Sequence, residues 1–439
     1  MLRIPLSRVR WRIRVLLWGG ALLAGLAVVG FAKLADMSLS LFDQLTAAHV
    51  WIAVLLTPPI GMLTVYLTNR YFNGTQGSGI PQVIAAARRA EQGKPVGYLL
   101  SLRLGLGKVL MGGLGLAGGF SAGREGPSVQ VAAAILNSIH GWLPHTRVLR
   151  QQDLILAGGA AGVAAAFNTP LAGIVFAIEE LGRRLETRTS GVLLSTIIFS
   201  GLIAQALLGD YRYFGHIRVP ELDISIVLPL LVAGLSCGLM GGLFSRLLLW
   251  PQMASQHALW RWRSSHPVRF AGLCGLAVAL IGVASHGVSL GSGYQITSEV
   301  VAGRVTLPWY APFARFLSTV VTYYSGIPGG IFAPALATGA ALGSNVAHLF
   351  GDNHVAAAPV IALFMAAFLA AVTQSPITSA IIVMEMVDGH SMVLSLMAAT
   401  LISNMVSTSL SRELYQHLAL GWMAAPEERN LARGDPAVE

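Results

Sequence analysis

Apolar residues fill this chain in blocks from about residue 13 to about 421, and the polar stretches between them are short. Three blocks, 47–69, 223–249 and 390–410, are long enough to cross a bilayer as helices, which takes roughly 20 residues. Five others, 80–90, 127–140, 171–182, 332–350 and 376–387, are shorter and are opened or broken by Gly or Pro. Irregular backbone at membrane depth is tolerated only where it is buried in protein or lines a cavity. The pattern predicts an all-α polytopic membrane protein whose core is built from short, interrupted helices, as in a transporter or channel. An Arg-rich start followed by the run Val15–Ala32 mimics a secretory signal. The run is longer than a signal core and no small-residue cleavage site follows, so it reads as a retained first membrane helix.

The chain also repeats itself. Gly77-Ser78-Gly79-Ile80 matches Gly291-Ser292-Gly293-Tyr294, Gly126-Pro127-Ser128 matches Ala333-Pro334-Ala335, and Asn168-Thr169-Pro170-Leu171 leading to Glu179 matches Gln374-Ser375-Pro376-Ile377 leading to Glu385. The separations are 214, 207 and 206 residues, in one order. Three matches in register predict two homologous halves, about 13–215 and 224–421, divided near the polar stretch His216–Asp223. Repeated halves with interrupted helices place a substrate site at the midplane between them. The matches alone leave open whether the halves are inverted. Residues 1–12 and 422–439 read as short cytoplasmic tails on one membrane transport domain spanning 1–439.

Composition agrees with this picture. Of 439 residues 54% are hydrophobic and only 11% charged, with a mean hydropathy of +0.65; soluble domains carry about a quarter charged residues. The net charge of +9 falls in patches between apolar stretches: Arg3, Arg8, Arg10, Arg12 and Arg14, then Arg183, Arg184 and Arg188, then Arg261, Arg263 and Arg269. That is the pattern of cytoplasmic loops rather than of a nucleic-acid surface. Cys237 and Cys274 lie in separate apolar segments and read as small buried hydrophobes, with no metal site, cofactor or disulfide framework expected.

Four stretches could carry chemistry. Glu125 stands in Gly123-Arg124-Glu125-Gly126-Pro127, in a long region with almost no other acid, where a carboxylate is costly and calls for a task. The helix that follows begins at the Gly-Pro pair, and a helix N-terminus attracts anions. An acid beside such a site suggests a carboxylate and a dissolved anion competing for one place. An Arg124–Glu125 ion pair is the plainer alternative, although neighbours i and i+1 on a helix do not face each other. Ser78, in Gly77-Ser78-Gly79-Ile80-Pro81, offers a hydroxyl at another helix start or serves as an ordinary N-cap. Gly326-Ile327-Pro328-Gly329-Gly330-Ile331-Phe332-Ala333-Pro334 lets backbone approach a ligand closely or is a simple Gly-rich turn. Tyr415 is a further hydroxyl or an interfacial anchor. Helix starts and hydroxyls together suit a small anion that must also leave, with no full positive charge holding it. An intramembrane enzyme is the remote alternative: there is neither a metal-spaced His/Glu motif nor a nucleophile elbow.

GSGIP, GREGP and GGIFAP in this order resemble the signature motifs of the CLC family of chloride channels and chloride/proton antiporters, and the likeness runs from about 15 to 420. The resemblance implies inverted halves and a homodimer with a separate pathway in each subunit. It implies that Ser78, Tyr415 and the backbone N–H groups of Ile331 and Phe332 bind chloride, with Gly79, Arg124, Gly126, Gly330 and Ala333 lining the anion path. Glu125 matches the family's gating glutamate, which occupies an anion position when charged and swings away when protonated. Glu180, in Ala177-Ile178-Glu179-Glu180-Leu181, matches the internal proton-transfer glutamate of coupled members. Helical pairing of Glu179 and Glu180 with Arg183 and Arg184 is the structural alternative. Gln82 stands where many relatives have glutamate. Serine at 78, rather than the proline of nitrate-selective relatives or the methionine of fluoride exporters, favours chloride. The expected activity is chloride/proton antiport at the inner cell membrane, with a passive channel as the alternative.

Overall fold

The computed structural model describes residues 6–143, 149–182, 190–209, 214, 226–349 and 357–424. The proposed divide at His216–Asp223 and the Arg183, Arg184 and Arg188 patch lie outside these. The described residues are helical and loop-like, with two isolated β-bridges, Gly77 with Pro328 and Gly123 with Gly330. Among the described residues, five helical stretches are long and apolar enough to cross a membrane: Trp11–Thr46, Val50–Tyr71, Val227–Met253, Pro267–Ala284 and His390–Leu410.

The first helix corrects the expected Val15–Ala32. α1 runs Leu6–Thr46, past Lys33 and Asp36. Those two charges face outward, while Phe31, Ala35, Ser38 and Phe42 keep a buried stripe at helical spacing. The broken blocks match the pattern more closely. They form α3 (Ile80–Glu91), α5 (Glu125–Ser138), α7 (Pro170–Phe176), α14 (Phe332–Leu349) and α16 (Pro376–Val387).

The internal repeat is written in the backbone. Gly77 and Gly79 take φ of 68° and 102°, and their counterparts Gly291 and Gly293 take 62° and 82°. Asn168 and Gln374 are both left-handed, at φ 57° and 58°, each two residues before a helix-opening proline. Past those prolines the halves cap each other. Glu179 accepts from Ile377 N (3.1 Å) and Thr378 N (2.6 Å) at the start of α16. Glu385 accepts from Ala172 N (2.9 Å) at the start of α7. Each carboxylate satisfies orphan donors at the other half's helix start, the reciprocal contact that a two-fold relation requires.

Packing follows the same logic. α6 (Gln151–Phe167) is buried from Leu154 onward and α15 (Ala357–Thr373) from Pro359 onward. Gly158 and Gly162 admit the α5 backbone: a Cβ at either would come within 2.7 Å of Ala133 Cα or Ser128 O. In the second half Gly339 and Gly343 admit α15 in the same way, against Phe364 O at 2.6 Å and Ile361 Cα at 2.8 Å. Small residues four apart let helices meet where apolar burial alone supplies little drive in lipid. These helix pairs hold the starts of α5 and α14 at the middle of the molecule.

Candidate functional site

Three helix N-termini converge at the centre. In α3, α5 and α14 a proline sits in the first turn, Pro81, Pro127 and Pro334, where a missing N–H costs nothing. Val83 N, Ser128 N and Ala335 N bond back to Gly79 O, Arg124 O and Ile331 O. The preceding N–H groups therefore lack helical acceptors and present partial positive charge. The starts are locked by reciprocal bonds between loops. Gly123 and Gly330 exchange N–H···O bonds of 2.7 Å, and Gly77 bonds Ile327 O (3.1 Å) while accepting from Gly329 N (3.0 Å).

Glycine is required for this convergence. A Cβ on Gly126 would run into Ser78 Oγ and stand 3.4 Å from Gly330 Cα; one on Gly330 would stand 3.0 Å from Gly126 N. Gly79, at φ 102°, lies against Gly126 O. Ser78, Gly79, Gly126 and Gly330 are thus brought together, and Ile331 and Phe332 follow Gly330 at the α14 start.

Tyr415 joins them from α18 (Leu414–Leu420). It is fully buried, and its ring stacks on Phe332 at 6.1 Å and 16°. Phe332 in turn packs on Phe167 and Phe176. The Tyr415 hydroxyl adjoins Ser78. Beyond each other, neither hydroxyl has a hydrogen-bond partner in the protein, and both are buried. The interfacial-anchor and N-cap alternatives fail here: Tyr415 has no exposed tip, and Ser78 Oγ caps no N–H.

Glu125 is the first residue of α5 rather than a residue preceding it. It is 1% exposed. One carboxylate oxygen lies over Gly123, in the space where a Cβ would also meet Ala333 N at 3.3 Å. The carboxylate is therefore beside the α14 N-terminus. The Arg124 side chain extends to α1, where Nη1 bonds Ala32 O (2.9 Å) and pairs with Asp36 (2.6 Å).

Glu180 forms a second cluster. It lies in a π-helical turn, Ala177–Gly182, that continues α7; such turns are frequent at functional positions. It is buried, and Ser375 Oγ donates to its Oε2 at 2.5 Å. Gln416 Nε2 donates to Glu180 O (2.9 Å) and to Oε1 (3.5 Å), and Arg88 donates to Gln416 Oε1. Gln416 follows Tyr415 in α18, so one short helix touches both clusters. Pairing of Glu179 or Glu180 with Arg183 and Arg184 falls outside the described residues.

Three residues outside the predicted set, Lys108, Ser375 and Gln416, also brace the site. Lys108, on α4 (Leu102–Ala117), is fully buried and donates to Thr75 O (2.7 Å) and Gly77 O (2.6 Å), behind the loop that carries Ser78. A lysine in the middle of a helix whose only other charge, Arg103, stands in the first turn is the available signal. Gln82 donates to Gln76 O (2.6 Å), so it ties the same loop by a different bond.

A family model described as voltage gated chloride channel matches residues 60–408. The chain belongs to the voltage gated chloride channel family. Within that family it is 31% identical to the H(+)/Cl(-) exchange transporter ClcA of Cronobacter sakazakii, over 99% of this chain and 95% of the relative. A slow cyanobacterial Cl-/H+ antiporter has the same fold, with a TM-score of 0.81, 25% identity and coverage of 94% of this chain and 98% of that one. A CLC-type fluoride/proton antiporter follows at a TM-score of 0.77 and 25% identity, covering 95% and 99%. Ser78, Glu125, Glu180 and Phe332 lie inside the region matched by the family model, and Tyr415 lies just beyond it. The chain is a multi-pass membrane protein of this family.

Proposed function

We propose that this protein exchanges chloride for protons across the inner cell membrane. Two buried, adjacent hydroxyls with no hydrogen-bond partner beyond each other, Ser78 and Tyr415, carry the reading. A buried O–H left unpaired costs about 1–3 kcal/mol, and a small anion offers both an acceptor at once. The N–H groups of Ile331 and Phe332 supply the remaining partial charge. No Lys or Arg side chain is needed in contact, which keeps the ion exchangeable. Relatives named as chloride/proton exchangers and antiporters agree with this reading. The fluoride/proton neighbour shares the fold, so the choice of chloride rests on the serine hydroxyl at 78.

Glu125 is the tethered competitor. As a carboxylate it takes an anion position at the α14 start; protonated, it loses its attraction to the helix dipole and yields the place to chloride. Glu180 is the inner proton relay, a titratable group off the anion path. Ser375 and Gln416 orient it. The halves 13–215 and 224–421 are inverted repeats, and the protein works as a homodimer in the bilayer, with exposed apolar residues of α8 (Ser190–Leu208) and α17 (Val393–Leu410) available to a second copy. The activity is transport, not catalysis.

The deciding experiment is reconstitution into vesicles with both ions followed. An imposed chloride gradient is expected to drive protons uphill. Chloride movement with no proton movement would make the protein a passive channel instead. Glu125→Gln and Glu180→Gln are each expected to pass chloride while losing proton coupling; unchanged proton transport in either variant removes that residue from the mechanism.

A further inference from the structure

The second copy of the Gly-Ser-Gly turn is not at the central site. It lines a separate cavity of about 140 Å³, bounded by Leu39 and Asp43 of α1, by Ser292 and Gln295, and by Arg315 of α13 (Ala311–Ser325). Here α12 (Tyr294–Val301) begins, with Thr297 N bonded to Gly293 O and Tyr294 N to Ser292 Oγ (3.3 Å). The N–H groups of Gln295 and Ile296 precede the first helical acceptor and face the same end.

Arg315 distinguishes this turn from an ordinary helix start. It is 2% exposed, and its Nε and Nη1 have no hydrogen-bond partner in the protein. Its guanidinium rests against Gly293, where a Cβ would stand 2.7 Å from Cζ. A guanidinium is always charged, and a buried charge without a counter-ion is strongly disfavoured. Asp43 is the acid facing the cavity; it is exposed at the rim and forms no ion pair with Arg315 within 4 Å.

Position gives the cavity a direction. Arg124, next to Glu125, pairs with Asp36 on α1. Asp43 is seven residues further along that helix, about 10 Å at 1.5 Å per residue. Leu39, between the two, packs against the cluster of Ala35, Leu116 and Ala122, and Ala122 leads into Gly123-Arg124-Glu125. We propose that the Arg315 cavity is a second anion site, for chloride or another monovalent halide-sized anion, that holds the ion on the side of Glu125 nearer the C-terminal end of α1. Its place as a loading site rests on the transport reading above; its ability to bind an anion does not. The rim carboxylate of Asp43 disfavours polyvalent anions and weakens retention, so the full charge on Arg315 does not trap the ion.

Bromide-soaked crystals test the site by anomalous scattering. Wild-type protein is expected to show bromide beside Arg315 and Ser292 as well as beside Ser78 and Tyr415. Arg315→Gln should lose the first position and keep the second, with at least about tenfold weaker halide binding there. Asp43→Asn, a change at an exposed side chain, should raise occupancy at the first position alone. A wild-type cavity that holds only water at saturating bromide overturns the proposal, as does bromide retained at this position in Arg315→Gln. If Arg315→Gln does not fold, unchanged occupancy in Asp43→Asn overturns it. Bromide beside Arg315 in a protein that moves no protons would leave this site standing and remove only the antiport reading.

Discussion

A hydroxyl sealed from water with no acceptor of its own is expensive, and this fold places two of them side by side. Tyr415→Phe is a clean probe because it keeps the ring stacked on Phe332 and removes only the O–H. A hydrogen bond to a charged partner contributes about 1.5–3 kcal/mol. Tyr415→Phe and Ser78→Ala should therefore each weaken chloride binding by roughly tenfold or more, read by calorimetry in detergent. Unchanged affinity in both variants would mean that the hydroxyls face something other than the anion. Ser78 and Glu125 were legible in the sequence because each sits in a short motif whose glycines and proline announce a helix start. Ser375 and Gln416 were not: they meet Glu180 from 195 and 236 residues away in the chain. Nothing local marks a residue whose role is to orient a distant carboxylate.

At the scale of elements, α7 and α16 depend on carboxylates contributed by each other. Glu385 satisfies Ala172 N at the α7 start, and Glu179 satisfies Ile377 N and Thr378 N at the α16 start. Losing an N-terminal cap costs about 0.5–2 kcal/mol. Glu385→Ala should thus lower the thermal midpoint while leaving chloride binding intact, because the bond it removes, to Ala172 N, involves neither Ser78 nor Tyr415. Halide affinity falling together with the midpoint would show that this contact shapes the anion site. The repeat itself was legible, as three matched motifs in one order. The cross-capping was not: Glu179 reads locally as a partner for Arg183, and nothing near Glu385 in the chain marks it as a cap for α7. The length of α1 was also missed, since Lys33 and Asp36 look like the end of an apolar run when hydropathy is averaged over a window. They are instead the exposed side of a helix whose buried stripe continues to Phe42.

The whole molecule turns on how its halves are oriented. Reciprocal capping requires a two-fold relation but does not fix the axis relative to the membrane. Charge does bear on it: α3 ends among Arg88, Arg89 and Lys94, and Arg89 Nη1 bonds Met423 O near the end of α18. The positive-inside rule predicts that this end of α3, like the Arg-rich start of α1, faces the cytoplasm. The Gly-Ser-Gly repeat at a separation of 214 residues pairs Gln92, just after α3, with Thr306, just after α12. Both are exposed. Inverted halves place these two positions on opposite faces of the membrane, whereas parallel halves place them on the same face. Single cysteines at Gln92→Cys and Thr306→Cys, probed with a membrane-impermeant thiol reagent in intact and opened cells, separate the two arrangements. Background should be low, because Cys237 and Cys274 are both buried. Thr306→Cys is expected to react in intact cells and Gln92→Cys only after opening. Labelling of both from one side would rule out inversion, and with it a midplane site built from helix starts that enter from opposite faces.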